Sequence, residues 1–286
     1  MHPSNFMTTS YSIARGPRIG ALGSVLVVLA LNACAVSQQQ EVALGQQAAS
    51  QVKSQMPMMN DGVVTAYVSA LGNSISRKTS RSDLSWQFSV VNTDVVNAFA
   101  LPGGFIYVNR GILSRAENES ELAAVLAHEI EHVVRRHSVK QMEQAQGANI
   151  GVSLACVLTN VCNSQAAQAA LQVGGTAVFA KFSRTDEKQA DDGGFQNVIR
   201  VGISPRGMLT FFQKLLAEEQ QSGGSGATAS WFADHPGTQD RIDDVRQMLA
   251  NTPPATLNAL RSDSPEYQNM KRRLAQLPAA PKAPTR

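Results

Sequence analysis

The sequence predicts a mainly helical α+β domain with a small β-sheet. Three observations lead there. Apolar residues recur at helical spacing in several separate segments. Strand-like runs of aromatic and β-branched residues occur only between residues 86 and 108. Charged residues are 16% of the 286, beside 43% hydrophobic ones. An average soluble domain carries roughly 25% charged residues, so this chain can bury a sizeable core and is not a disordered polymer. Its length suits one large domain or two ordinary ones. The formal net charge of +3 comes without a Lys/Arg run, which argues against nucleic acid as a partner.

Residues 1–33 contain no acid. Arg15 and Arg18 precede an apolar run from Ile19 to Leu31, followed by Asn32-Ala33-Cys34. A basic region, a short apolar region and a small residue before the cut describe a secretory signal. The run is shorter than the roughly 20 residues that span a bilayer. Leu31-Asn32-Ala33-Cys34 resembles a bacterial lipobox. The resemblance implies cleavage before Cys34, acylation of that cysteine and a membrane-bound lipid anchor. Ala35 follows Cys34 where Asp is associated with inner-membrane retention, so the implied address is the periplasmic face of the outer membrane. The expected organisation is a signal peptide at 1–33, a lipidated tether at 34–40, one folded domain at 41–250 and a Pro/Ala-rich tail at 251–286. Losing Arg15 and Arg18 with the signal lowers the formal charge from +3 to +1. Attachment would then rest on acyl chains rather than on a basic patch.

Along the mature chain, Glu41 to about Met56 reads as a helix, with Val42, Ala43, Ala48, Ala49 and Val52 on its apolar side. Asn60 to about Ile75 reads as a second. Trp86, Phe88, Val90 and Val91 suggest one strand and Phe105–Val108 another, introduced by Pro102-Gly103-Gly104. Asn118 or Ser120 can cap a helix from about Glu121 to about Gln144. From Gln144 to Thr185 there is no acid; this stretch reads as a helical hairpin, buried or membrane-facing. Within it, Cys156 and Cys162 are a disulfide candidate in an oxidising compartment. On one continuous helix they would be about 9 Å apart, too far to bridge, so a bond needs a break at Thr159-Asn160. Helices follow at Asp186–Val201, Pro205–Gln221 and Thr238–Leu249, with a short one at Pro265–Leu277 before a frayed end.

His128-Glu129-Ile130-Glu131-His132 is an H-E-x-x-H motif. The i, i+4 spacing puts both imidazoles on one helix face, where they can share a Zn²⁺, one per chain. Glu129 lies about 100° around the helix and can reach a water on the metal. The flank Leu122–Ala127 is apolar, and histidines buried there without a metal would be costly. A catalytic zinc takes three protein ligands. His137 is disfavoured: on a straight helix it lies about 180° from His128 and about 140° from His132, which makes it a structural histidine. Arg135 and Ser138 stand where the metzincin pattern needs Gly and His. The next carboxylates are Asp186, Glu187, Asp191 and Asp192, of which Asp186 and Glu187 could equally be an acidic helix start. Glu187 and Asp191 share a face, so Glu187 can ligate while Asp191 holds a ligating imidazole.

Four ordered segments carry a family resemblance. They are Asn97–Gly104 (N-A-F-x-x-P-G-G), His128–His137 (H-E-x-x-H-x-x-x-x-H), Phe182–Asp191 (F-S-R-x-x-E-x-x-A-D), and His235-Pro236-Gly237-Thr238 with Arg241 (H-P-x-T-x-x-R). Together they resemble the HtpX/BepA-like gluzincin metallopeptidases, the forty-eighth metallopeptidase family, and cover roughly residues 41–250. Gln189 stands where many members have a second Glu.

The resemblance implies a zincin-type metalloprotease domain with an active-site H-E-x-x-H helix. It implies Glu187 as third ligand, and His235 with Arg241 beside the metal stabilising an oxyanion. His235 could alternatively occupy the open metal position and hold the enzyme latent. The activity implied is zinc-dependent endoproteolysis of unfolded or misassembled envelope polypeptides, with outer-membrane assembly machinery as a partner. A competing reading is a periplasmic assembly factor or chaperone with a latent or structural zinc site. Glu129 favours the enzyme, since a structural site has no use for it. Substrate is expected to add as a strand along Gly103, Gly104, Phe105 and Ile106, through a free edge at Phe105–Val108.

Overall fold

The computed structural model describes residues 36–147, 182–223 and 227–281. Helix α1 (Gln38–Gln55) starts at Ser37, whose hydroxyl accepts the Gln40 N–H while the Gln40 side chain accepts the Ser37 N–H, a reciprocal cap. Asp61 caps helix α2 (Gly62–Ser76) through the Val63 and Val64 N–H groups. Three strands follow: β1 (Gln87–Val91), β2 (Ala98–Leu101) and β3 (Phe105–Asn109), in the order β1-β3-β2. β1 runs parallel to β3, and β2 runs antiparallel to it.

The two-residue period sorts the sheet's side chains. Phe99, Leu101, Phe105 and Tyr107 join Ala48, Ala49 and Val52 of α1 in one cluster. Ala98, Ala100, Ile106 and Val108 turn to the larger core on the other side.

The remaining helices are α3 (Arg110–Arg115), α4 (Glu119–Val134), α5 (His137–Gly147), α6 (Arg184–Arg200), α7 (Arg206–Ser222), α8 (Ala229–Asp234), α9 (Thr238–Asn251), α10 (Pro254–Asn258) and α11 (Pro265–Gln276). Helix α4 is buried at every residue from Glu119 to Val133, with α2, β2, α6 and α7 packed around it. Leu122, Leu126 and Ile130 are fully buried along it; each is worth about 1.5–3 kcal/mol relative to exposure. Helix α6 comes close because it presents Gly193 and Gly194. A Cβ at Gly193 would lie 2.2 Å from Glu131 Oε2, and one at Gly194 3.1 Å from the His128 nitrogen.

Several expectations are corrected here. The helix expected from Glu121 to Gln144 breaks at Arg135-Arg136. Arg136 has φ +57°, the left-handed turn that glycine usually supplies. The guanidinium of Arg136 stabilises the turn by donating to Glu41 Oε2 at 2.9 Å and to the Val36 carbonyl. Strand β3 is the middle of the sheet, so Phe105–Val108 has no free edge. Among the described residues β2 lies at one edge, and Ala98–Leu101 was not foreseen as a strand. The short helix expected at Pro265–Leu277 is present as α11, and it is more than a tail: Tyr267, Met270 and Leu274 belong to the main core. The Tyr267 hydroxyl donates to the Ala116 carbonyl at 2.6 Å. The signal, Cys34, residues 148–181 of the expected hairpin, and with them Cys156 and Cys162, lie outside the described residues. Among those described, no helix is long and apolar enough to cross a membrane.

Candidate active site

Helix α4 supplies His128, Glu129 and His132, all buried. The i, i+4 spacing brings the two imidazoles together edge-on, with Nε2 to Nε2 at 3.0 Å. Helix α6 adds Glu187. Its Oε2 lies 3.4 Å from His128 Nε2 and its Oε1 3.4 Å from His132 Nε2. The four candidate acids therefore separate. Asp186 Oδ2 accepts the Ser183 N–H while Asp186 N donates to Ser183 Oγ, so Asp186 caps α6. Asp192 faces solvent near Lys188. Glu187, one residue past the cap, points inward.

His235 ends α8 and completes the group. Its Nδ1 is 3.3 Å from His128 Nε2 and from both Glu187 oxygens, and its Nε2 is 3.5 Å from Glu129 Oε1. Single donor atoms of His128, His132, Glu187 and His235 all fall within 4.8 Å of one another. Trp231, one turn earlier in α8, covers the His235 ring at a centroid distance of 4.4 Å. No pattern in the sequence marked Trp231 for this place.

The supporting shell differs on its two sides. Asp191 Oδ1 lies 2.8 Å from His128 Nδ1. Arg241 of α9 grips Asp191 through Nε and Nη2, and its Nη1 lies 2.8 Å from Glu187 Oε2. Its guanidinium thus faces the two carboxylates beside the donor cluster. On the other side His132 Nδ1 meets His137 Nδ1 at 2.9 Å, and Phe182 stacks on the His132 ring at 3.8 Å.

The substrate-strand residues are elsewhere. Gly103 (φ +78°) and Gly104 (φ +101°) form the tight β2–β3 turn. The Gly103 N–H donates to buried Glu41 Oε1, pinning the turn to α1. A small pocket of about 10 Å³ lies against His132, between Ala100, Leu101 and Pro102 on one side and Glu41, Arg136 and Val139 on the other.

Burial and Arg241 both work against a charge on His128. Glu187 and Asp191 outweigh them and raise its pKa to about 9. His132 is held well below its usual value, chiefly by burial. Burial alone would raise Glu187, but His235, Arg241 and His128 hold it well below the carboxylate range. Burial raises Glu129, against the pull of His235 and His128. Both Glu129 oxygens are buried without a hydrogen-bond partner, an arrangement that is costly unless a further ligand completes it. Imidazole nitrogens with one or two carboxylate oxygens, converging from four directions, are a donor set that suits a divalent transition metal. The residues present fit such an ion.

A helix carrying H-E-x-x-H, a glutamate from a later helix and a small mixed sheet together define a zincin-type metallopeptidase domain. Residues 63–249 match the model of Peptidase family M48, and the chain belongs to that family.

Among its relatives are three named proteases. The beta-barrel assembly-enhancing protease of Yersinia pestis is 33% identical over 214 residues, which are 72% of this chain and 43% of that protein. The mitochondrial metalloendopeptidase OMA1 of Schizosaccharomyces pombe is 34% identical over 185 residues, 65% of this chain and 53% of that one. The metalloprotease LoiP of Escherichia coli is 30% identical over 187 residues, 65% of this chain and 69% of that one. The chain thus spans less than half the length of the beta-barrel assembly-enhancing protease it matches.

Proposed function

We propose that this protein is a zinc-dependent metalloendopeptidase of the bacterial envelope, acting on misfolded or stalled outer-membrane polypeptides. The observation that carries the reading is the buried, unbonded carboxylate of Glu129 beside the His128–His132–Glu187 donor set. Those three residues would hold the zinc. The bound ion would supply Lewis-acid polarisation of the scissile carbonyl and a more acidic water. Glu129 is the general base: an Oε accepts the proton of the attacking water and then returns it to the leaving amine. The apolar surroundings raise the basicity of Glu129 and exclude competing water. Asp191 fixes His128, and Arg241 fixes Asp191 and Glu187.

His235 sits among the ligand atoms, and this favours the latent arrangement. In the resting protein it fills the position that substrate needs, and it must withdraw for the carbonyl to approach. Once displaced it remains beside Glu129, within reach of the developing oxyanion. Anchoring by an acylated Cys34 and a partnership with outer-membrane assembly machinery belong to the same proposal. They are supported by the lipobox-like segment and by the name of the Yersinia pestis relative.

Chelation and reconstitution test the reading. Stripping the purified protein of metal should abolish cleavage of casein or unfolded porin, and one equivalent of zinc should restore it. Cleavage that survives complete metal removal would overturn it. Cells in which Glu129→Gln substitutes fully for the wild type would favour the assembly-factor reading.

A further inference from the structure

We propose that His137 is a positioning residue for His132, setting that ring's orientation and tautomer through an imidazole chain that runs on to the Gln189 amide, with Asp186 beside it. The inference rests on the zinc reading above and adds a residue that the reading does not use.

His132 Nε2 faces the donor cluster. To bind a cation it must present a lone pair there, so its one proton sits on Nδ1. That Nδ1 lies 2.9 Å from His137 Nδ1. Two N–H groups cannot face each other at this distance, so His137 Nδ1 accepts. Its own proton is then on Nε2, which lies 3.2 Å from Gln189 Oε1 and 3.5 Å from Asp186 Oδ1. Both are oxygens that accept. The chain therefore has one consistent direction: His132 Nδ1–H donates to His137, and His137 Nε2–H donates to Gln189.

The backbone break makes this contact possible. On a straight helix His137 would lie about 140° around from His132. The left-handed turn at Arg136 redirects the start of α5 and swings His137 back under His132. His137 is fully buried there. The stacked Phe182 ring can hold His132 in its plane but cannot choose between its tautomers. His128 is held by a carboxylate, whereas His132 is held by an uncharged imidazole. Without His137, the buried Nδ1–H would be left unpaired, and the competing Nε2–H tautomer, which cannot ligate, would gain population.

The test uses the full chain, prepared metal-free. Zinc affinity is measured by competition with a chromophoric chelator, and the histidine tautomers are read from two-bond ¹H–¹⁵N spectra of the zinc-loaded protein. His137→Phe keeps the ring volume and removes the acceptor. Its zinc affinity should fall about 10–100-fold while the melting temperature of the metal-free protein is retained. His137→Asn places an amide oxygen near the Nδ1 position and should recover most of the affinity. Gln189→Leu should weaken binding in the same direction, but less. In the wild type, His137 should give the Nε2–H pattern. A His137→Phe protein that binds zinc like the wild type, or a wild-type His137 protonated on Nδ1, overturns the proposal. If His137→Phe does not fold, the wild-type tautomer decides. A wild-type protein that binds no zinc would instead refute the zinc reading on which the proposal stands.

Discussion

Arg241 and Asp191 form a buried, doubly hydrogen-bonded pair, with Nε to Oδ2 at 2.7 Å and Nη2 to Oδ1 at 2.8 Å. Asp191 uses the same Oδ1 to hold His128 Nδ1, so the pair links α9 to the metal-site helix. Breaking a buried ion pair from one side leaves an uncompensated charge. In Arg241→Ala two carboxylates, Asp191 and Glu187, lose that partner. We expect a loss of about 3–5 kcal/mol in stability, read by denaturant unfolding, together with weaker zinc binding. A variant as stable as the wild type would show that the pair does not organise the site.

Helix α6 reaches α4 because residues 193 and 194 have no side chain. A Cβ at Gly193 would lie 2.2–2.6 Å from three side-chain atoms of Glu131, and Asn197 holds the same carboxylate at 2.6 Å. Alanine would gain about 1 kcal/mol of helix propensity at an unhindered position. Gly193→Ala is nevertheless expected to lower the melting temperature and zinc affinity together, because displacing α6 displaces Glu187. A raised melting temperature with unchanged zinc affinity would contradict the close packing.

The two imidazoles were legible because i, i+4 spacing places them on one helical face regardless of what surrounds it. Glu187 became distinct from its neighbours only through its motif, since an acidic helix start explains Asp186 and Glu187 equally well. What distinguishes Asp186 is its exchange of hydrogen bonds with Ser183, a three-dimensional fact. The break before His137 was hidden because its left-handed residue is Arg136, held by contacts to Glu41 and Val36 that are distant in sequence. β2 is four residues long and half alanine, too short for alternation to declare it. The terminal helix was legible but its place in the core was not: Pro and Ala are frequent around it, although Tyr267, Met270 and Leu274 carry a helical spacing. All three turn out to be core residues.

That terminal helix should matter to stability. Tyr267 is fully buried, packs edge-on against Tyr67 and donates to Ala116. Tyr267→Ala should cost about 3–5 kcal/mol, as large aromatic truncations do, and ending the chain after Asn251 should cost at least as much. Urea titration would show it. A truncated chain with an unchanged midpoint would return the segment to the role of a loose tail.

Acid should weaken the contact between α11 and α2. The Val64 N–H holds the Asp61 carboxyl below its usual pKa against the opposing effect of burial, with help from Arg273, whose Nε is 2.8 Å away. A depressed carboxylate contributes stability that is complete above its unfolded pKa of about 3.9 and is lost as pH falls through its lower folded value. The wild type's advantage in melting temperature over Asp61→Asn should therefore be present at pH 7 and shrink below about pH 4. An advantage independent of pH would contradict the assignment.

Hydrolysis of an unfolded polypeptide by zinc-loaded Glu129→Gln, beside the wild type and with zinc content measured in both, tests the central claim most directly. Both proteins should hold one zinc per chain, and the variant should lose about 10²–10⁴-fold in rate through loss of the general base. Equal hydrolysis by two equally loaded proteins would contradict the account.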